Sequence, residues 1–312
     1  MKIFNDNIKS VIQLIQAFPT EQSCIEHLEA IRWNGNVVSP FDKTSKIYKC
    51  KNNRYHCKST GKYFNVKTNT IFDNTKIELQ KWFLAIWIAT SHKKGISSLQ
   101  LSRDLNITQK SAWFMLQRIR NCFDINGDDM ADNLVEVDET YVGGENKNKS
   151  LSKRKELHKN GMQTGGNHKQ PVLGILERGG SVKGFVIDKA VGNIIKPIMY
   201  NNIKESAYIV TDGFGAYKDI HKHFHGHMKV MHDKKEYVRY EHFHTNTIEG
   251  FWSLLKRGII GIYHFVSRKH LQKYVNEFSF RYNTRKQTDC LRFNLLLSNI
   301  ENRITYKQLI NG

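Results

Sequence analysis

Apolar residues recur at helical spacing in the stretch 244–258, which reads HTNTIEGFWSLLKRG. The spacing predicts a helix whose apolar face is formed by Ile248, Phe251, Trp252, Leu255 and Ile259. Glu249 falls in its first turn, after residues that can cap a helix. Acidic residues are common at helix starts because they favour the positive end of the helix dipole. A further role for Glu249 therefore depends on partner carboxylates elsewhere in the chain.

The N-terminal region combines helical periodicity with a short β-like segment. Residues 8–32 carry two amphipathic helical patterns, and alternating aromatic residues between Trp33 and Ile71 predict a small β module. Modules of this size often depend on zinc held by two Cys-x2-Cys pairs, but this segment offers only Cys50 and Cys57, next to His56. These cysteines are candidate zinc ligands. The favoured interpretation is a metal-free module held together by its aromatic residues.

Two short helices follow a longer apolar one at Ile77–Ser91. Ser97–Leu105 and Gln109–Arg120, joined by a turn at residues 106–108, have the spacing of a helix-turn-helix, in which the second helix enters the major groove of DNA. Its exposed N-terminal positions are candidate DNA contacts: Thr108, Gln109, Lys110 and Ser111. A plain helical hairpin is the alternative.

The central region predicts a mixed sheet. Strands at Leu134–Val142, Pro171–Glu177 and Ser181–Ala190 form a meander, and a helix, a strand ending at Asp212-Gly213, a helix at Ala216–Phe224 and a strand near Met228–His232 follow. This order predicts a ribonuclease-H-like α/β domain with flanking helices. In the first strand, Val135 and Val137 are apolar enough to face a core, which leaves Asp138 on the opposite face.

The chain has a formal net charge of +19 and a pI near 9.6, which favours binding to a polyanion such as nucleic acid. No apolar run reaches the length of a membrane span, and the N-terminus lacks the apolar core of a signal peptide, so we expect a cytoplasmic, nucleoid-associated protein. The five cysteines are odd in number and scattered, unlike a secreted disulfide framework.

Asp138, Asp212 and Glu249 lie on the first strand, at the end of the fourth and on a following helix, where a sheet of this order can bring them together. Phosphodiester cleavage needs an activated attacking oxygen and a stabilised leaving oxygen, and two Mg²⁺ ions about 3.5–4 Å apart provide both. Carboxylates are the oxygen ligands that Mg²⁺ prefers. The three residues are therefore candidate ligands for two Mg²⁺ or Mn²⁺ ions.

Several segments resemble the Merlin-related superfamily of bacterial insertion-sequence transposases, which carry an ISXO-like DDE domain. The matching segments occur in the order of the family: CIEHLEAIRWNG, TNTIFDNTKIELQKWFLAIWIATSHKKGISSLQLSRDLNITQKSAWFMLQRIR, VEVDETYVGG, YIVTDGFGAY and HTNTIEGFWSLLKRGIIGIYHFVSRKHLQKYVNEFSFRYN. The resemblance implies a transposase that uses divalent metal to cut DNA at element ends and join them to a target. One departure is the four-cysteine zinc ribbon of the family, of which this chain keeps only part.

The resemblance also assigns roles to individual residues. It implies that Asp138, Asp212 and Glu249 are the catalytic residues and that Lys256 contacts DNA near the cut. Arg257 and Asn246 are further candidate DNA contacts on the same helix.

The predicted domains are the N-terminal helices and zinc-ribbon-like module (1–75), the helix-turn-helix (76–126), the catalytic domain (127–290) and a C-terminal tail (291–312). The expected partners are the terminal inverted repeats of the element, target DNA and a second copy of the chain, because two ends must be paired. Two alternatives are a ribonuclease-H-like nuclease or resolvase without strand transfer, and a non-catalytic DNA-binding protein derived from a transposase.

Overall fold

The computed structural model describes residues 8–125, 130–144, 150–152, 155, 169–230 and 243–311. These residues fall into two compact units. The N-terminal unit contains the described residues up to Ile125 and from Thr284 onward, and the central unit contains those between them. None of the helices in these ranges is long and apolar enough to cross a membrane.

In chain order, the helices of the described residues are α1 (Val11–Ala17), α2 (Glu21–Trp33), α3 (Leu79–Ser91), α4 (Ser98–Leu105), α5 (Gln109–Arg120), α6 (Gly192–Asn202), α7 (Asn246–Gly258), α8 (Leu271–Asn283), α9 (Asp289–Ser298) and α10 (Tyr306–Asn311). The strands are β1 (Ile47–Lys49), β2 (Tyr55–Cys57), β3 (Tyr63–Phe64), β4 (Leu134–Val142), β5 (Gln170–Glu177), β6 (Val182–Val186), β7 (Tyr208–Thr211) and β8 (Gly226–Lys229).

The C-terminal residues fold as part of the N-terminal unit. Phe293 of α9 packs against Phe83 and Trp87 of α3, with ring centroids 5.5 and 5.8 Å apart. The central unit therefore ends at Asn283, and the described residues from Thr284 onward belong to the N-terminal unit. An apolar helix face does not by itself say which distant surface covers it.

A three-stranded antiparallel sheet, ordered β1-β2-β3, forms the small β module. Its aromatic residues pack on one another: the ring of Tyr55 lies 5.2 Å from Trp33 and 5.7 Å from Phe64. All three are buried. The module therefore has an aromatic core of the kind the sequence predicts.

The two short helices α4 and α5 lie within one residue of their predicted bounds. Asn106 ends α4 in the left-handed conformation, with φ of 49°, and Ser97 and Thr108 cap the starts of α4 and α5 through their side chains. Four apolar residues of α5 form its buried face: Ala112, Met115, Leu116 and Ile119.

The central unit is built on a mixed five-stranded sheet in the order β6-β5-β4-β7-β8. β4, β5 and β6 form the predicted antiparallel meander, while β7 runs parallel to both β4 and β8. The helix predicted at Ala216–Phe224 is wrong. Two short 3₁₀ turns stand there, because Asp219 adopts a left-handed φ of 66° between them and interrupts any longer helix.

Helices cover both faces of this sheet. Val135 and Val137 of β4 lie in one apolar cluster with Ile195 and Met199 of α6. On the opposite face, the predicted apolar side of α7 is buried beside residues of α8 and of β5. Alternation along β4 turns Asp138 toward this second face. The prediction that Asp138 lies on the face of β4 opposite Val135 and Val137 is therefore confirmed. Helices cover both faces of the strand.

Gly174 makes room for α7 on the sheet. It pairs with Asp138 across β5 and β4, and a Cβ placed on it would lie 2.5 Å from Trp252 Cζ2 and 2.8 Å from Ile248 Cδ1. Both contacts are shorter than real Cβ atoms tolerate. The close approach of helix and strand depends on this glycine.

We expect Gly174→Ala to lower the free energy of unfolding by about 1–3 kcal/mol, because overpacking must displace Trp252 or α7. Chemical unfolding followed by circular dichroism measures this loss. The matched control is Gly250→Ala on α7, where an added Cβ meets nothing within 4 Å, so stability should be unchanged or slightly increased. Equal stabilities for the two variants would contradict the tight packing at Gly174.

Candidate active site

Three carboxylates lie on β4, at the end of β7 and on α7. Asp138 lies in β4, Asp212 directly follows the parallel neighbouring strand β7, and Glu249 lies in the first turn of α7. Burial raises the pKa of Asp138 to about 6, and the charges of Asp212 and Glu249 add to the increase. Asp212 and Glu249 are therefore near enough to Asp138 to act on it electrostatically.

The indole of Trp252 orients Asp138. Its Nε1–H donates a hydrogen bond of 2.9 Å to Asp138 Oδ2, and this bond favours the ionised carboxylate against the effect of burial. Trp252 is itself buried on the apolar face of α7. The apolar packing of α7 thus fixes a polar group at the site.

Asp212 and Glu249 are held by contacts close to them in sequence. Asp212 Oδ1 accepts a 2.9 Å hydrogen bond from the backbone N–H of Phe214, and Thr245 Oγ1 donates one of 3.3 Å to Glu249 Oε1. Glu249 is exposed and Asp212 half-buried. Both carboxylates remain accessible from solvent.

A fourth acidic residue, Glu139, adjoins the group from the other face of β4. Burial raises its pKa to about 7, and the charges of Asp138 and Asp212 contribute to the increase. The hydroxyl of Tyr217, which is fully buried, donates a 2.7 Å hydrogen bond to Glu139 Oε1. Alternation along β4 places Glu139 on the same face as Val135 and Val137, but its tyrosine partner is far away in the chain and could not be identified from the sequence.

Glu136 fastens the start of α7 to β4. Its side chain is fully buried, and Oε2 accepts hydrogen bonds of 3.0 and 2.9 Å from the backbone N–H groups of Thr247 and Ile248. Its other oxygen, Oε1, accepts bonds of 3.0 and 2.8 Å from Arg178. Arg178 also donates a 2.9 Å bond to the carbonyl of His244.

The capping role of Glu136 was missed, although the sequence offered one signal: Glu136 shares the face of Asp138 in the Val-Glu-Val-Asp alternation. Thr245 precedes α7 without making a side-chain cap. The free N–H groups of the helix are therefore satisfied by a carboxylate from another element.

We expect Glu136→Ala to expose the start of α7 to exchange, because it removes the cap and leaves Arg178 without its buried partner. Breaking such a pair costs about 3–5 kcal/mol, so amide exchange within residues 245–258 should accelerate by roughly a hundredfold to several thousandfold. Hydrogen–deuterium exchange by mass spectrometry measures it. The control Glu177→Ala, at the half-buried end of β5, should leave this segment protected. Unchanged protection in Glu136→Ala would show that the cap does not hold the helix.

The donor chemistry of the site suits a hard divalent cation. Asp138, Asp212 and Glu249 offer carboxylate oxygens, and burial, with a smaller contribution from the neighbouring charges, favours the neutral form of Asp138. Among the described residues, no three acidic, histidine or cysteine side chains converge closely enough to form a ready-made metal site. A cation would therefore have to draw the carboxylates together while neutralising their repulsion.

The raised pKa of Asp138 gives a stability prediction for metal-free protein. Because the pKa in the folded state, about 6, exceeds the ordinary value of 3.8, the stabilisation is complete below about pH 4 and lost as the pH rises through 6. Asp138→Asn keeps the neutral form, so in EDTA it should be more stable than the wild type above pH 6 by on the order of 2 kcal/mol. Thermal unfolding between pH 4 and 8 measures the difference.

Asp132→Asn is the control of opposite sign. A backbone hydrogen bond from Asn133 and side-chain bonds from Ser206 and Lys204 lower the pKa of Asp132, so its stabilisation is present above its ordinary pKa and lost in acid. This variant should be less stable than the wild type at neutral pH. A wild type that remains at least as stable as Asp138→Asn at pH 8 would contradict the electrostatic strain.

The candidate DNA contacts on α7 lie on its exposed side. Asn246, Lys256 and Arg257 are all exposed, and Arg257 Nε donates a 3.0 Å bond to the carbonyl of Ser253. Lys256 follows Glu249 by seven residues, so it lies about two turns further along the helix.

At the start of α5, the four predicted DNA contacts have mixed roles. Thr108 accepts from the N–H of Ser111 and donates to its hydroxyl, which makes both part of the helix cap. Gln109 Nε2 donates to Ser98 Oγ at 2.9 Å, and Lys110 Nζ lies 5.2 Å from the ring centre of Tyr306. Thr108, Gln109 and Lys110 are exposed, whereas Ser111 is half-buried.

The two candidate zinc ligands have different surroundings. Cys57 is fully buried; burial opposes its ionisation, but hydrogen bonds with nearby hydroxyls lower its pKa to about 6, the partners being Ser39, Ser45, Ser59 and Thr60. Cys50 is half-buried and its thiol contacts the carbonyl of Tyr48 at 3.8 Å. Four hydroxyl groups thus surround the thiol of Cys57.

Comparisons with known proteins place the central unit in context. Residues 130–283 match the family described as the ISXO2-like transposase domain. A protein of Halobacterium salinarum, described as an uncharacterized protein in transposable element ISH50, is 28% identical over 276 residues, which cover 86% of this chain and 92% of that protein. The family match spans nearly all of the unit that carries the three carboxylates.

Proposed function

We propose that this chain, whose residues 130–283 match the ISXO2-like transposase domain family, cuts DNA at the ends of an insertion sequence and joins them to a target. The observation that carries the proposal is the electrostatic coupling of Asp138 with Asp212 and Glu249 on three elements that the sheet brings together. This arrangement agrees with the ribonuclease-H-like architecture that the order of strands predicts.

In this proposal Asp138, Asp212 and Glu249 hold two divalent cations, Mg²⁺ or Mn²⁺, at the scissile phosphate. Bound there, the cations would supply charge that activates the attacking oxygen and stabilises the leaving one. Trp252 keeps Asp138 ionised and oriented through its indole N–H. Glu136 fixes the first turn of α7, and thereby the position of Glu249. The same site would act on two nucleophiles in turn: water in the cleavage step and a freed 3′-hydroxyl in the joining step.

Positive charge supports DNA as the substrate. The chain carries 48 lysine and arginine residues against 29 acidic ones. We assign Lys256, with Asn246 and Arg257, to DNA beside the cut, and the start of α5, from Thr108 to Ser111, to recognition of element ends. Pairing two ends calls for at least two copies of the chain.

The test uses duplexes that carry the inverted repeats flanking the gene, with Mg²⁺ and a target plasmid. We expect Asp138→Asn and Glu249→Gln to abolish strand cleavage, at least a hundredfold, while binding of the repeat is retained. Glu177→Gln, on the same sheet, is the matched control and should cleave like the wild type.

Gel analysis separates the outcomes. Joined products from pre-cut ends support a transposase, whereas cleavage without joining would reduce the function to that of a nuclease. Retained cleavage in either carboxylate variant would remove the catalytic assignment.

A further inference from the structure

A cleft opens beside the carboxyl end of β4 and the C-terminal end of α7. Its volume is about 420 Å³, within the roughly 300–1,000 Å³ typical of small-molecule sites. The residues that matter here are Tyr141, Lys169, Lys256, Ile260, His264 and Phe265. None of the roles assigned above requires such a cavity.

The cleft adjoins the carboxylate group. Tyr141 follows Asp138 by three residues on β4, and burial, together with the charges of Glu139, Asp212 and Asp138, raises the pKa of its phenol. On the other side, Lys256 lines the cleft from the helix that carries Glu249. A molecule in the cleft would therefore be a close neighbour of a phosphate held at the carboxylates.

Large apolar side chains are exposed around this cleft. Phe265 is 74% exposed, Ile260 70% and Tyr141 47%. These side chains lie close together, and no other described residue buries them. They offer flat apolar surface to a ligand.

The backbone here is held in an unusual form. α7 continues into a π-helical turn at Ile259–Tyr263, and His264 then adopts φ of 57° and ψ of −47°. Non-glycine residues rarely take this conformation, and π-turns inside helices are frequent at functional sites. The turn brings Ile260 and Phe265 to the same cavity as Lys256.

Two ammonium groups complete the lining. Lys169 and Lys256 both face the cleft, and neither forms a salt bridge with any other described residue. Aromatic surface beside positive charge is the combination that binds single-stranded nucleic acid, through base stacking and phosphate contact. A purely apolar partner would not match the lysines, and a paired base in duplex DNA would not reach the ring.

We propose that this cleft binds an unpaired nucleobase of the DNA strand next to the cleavage position, with the base against Phe265 and its phosphate at Lys256 and Lys169. The inference rests on the proposed function, because it takes DNA at the carboxylates as the substrate. It would also explain why α7 ends in a strained turn instead of a regular cap.

The experiment compares two fluorescein-labelled 30-base-pair duplexes that differ only in one unpaired adenine at the centre. Fluorescence anisotropy of the full chain in EDTA gives both Kd values, so the result does not depend on catalysis. We expect the wild type to bind the bulged duplex at least about fivefold more tightly. Phe265→Tyr should keep this ratio, and Phe265→Ala and Phe265→Leu should bring it close to one.

Val191→Ala is the matched control, because it shortens an exposed apolar side chain at the start of α6, on the other face of the sheet. Its ratio of Kd values for the two duplexes should equal that of the wild type.

A wild-type ratio of one overturns the proposal. A preference for the bulged duplex that persists in both Phe265→Ala and Phe265→Leu overturns it as well. If these variants instead change self-association in analytical ultracentrifugation with a ratio of one, the cleft is a contact between copies. If the wild type binds both duplexes equally but still cleaves DNA, the cleft proposal is wrong and the proposed function stands. If Asp138→Asn still cleaves DNA, the proposed function is wrong and the cleft proposal is unaffected.

Discussion

The buried carboxylate of Glu136 is the interaction on which the central unit depends. It accepts two backbone N–H bonds from α7 and two bonds from Arg178, all while fully removed from solvent. A buried charge is tolerated only when every lone pair finds such partners, and removal of any one of them leaves an uncompensated charge. Glu136 thus fixes α7 to β4 at one point and in one orientation. The position of Glu249, one turn into the helix, follows from that orientation.

The site works against the stability of the fold that holds it. Burial and neighbouring charges raise the pKa values of Asp138 and Glu139, so ionised carboxylates destabilise the metal-free protein near neutral pH. The apolar face of α7 and the close contact at Gly174 offset this cost by docking the helix tightly on the sheet. Divalent cations would relieve the same repulsion. The feature that destabilises the metal-free site is therefore the one that would favour metal binding.

Local patterns explain how much of the fold was predictable. β4 and the helices α4, α5 and α7 were found within a residue or two, because alternation, caps and apolar spacing act between neighbouring residues. The helix predicted at Ala216–Phe224 failed where Asp219 takes a left-handed conformation, which composition does not reveal. The grouping of the described residues from Thr284 onward with the N-terminal unit cannot be read from the sequence, because it depends on which surface meets Phe293.

The sequence by itself determined the mixed sheet, the apolar face of α7 and the placement of three carboxylates on three elements. Each follows from the spacing of apolar residues and from the order of the predicted strands and helices. It also gave the resemblance that the family match bears out. Only the tertiary structure decided what surrounds those carboxylates: the indole of Trp252, the cap from Glu136 and the cleft at Phe265. These contacts join residues far apart in the chain. Their geometry is set by packing and burial, which no single stretch of sequence contains.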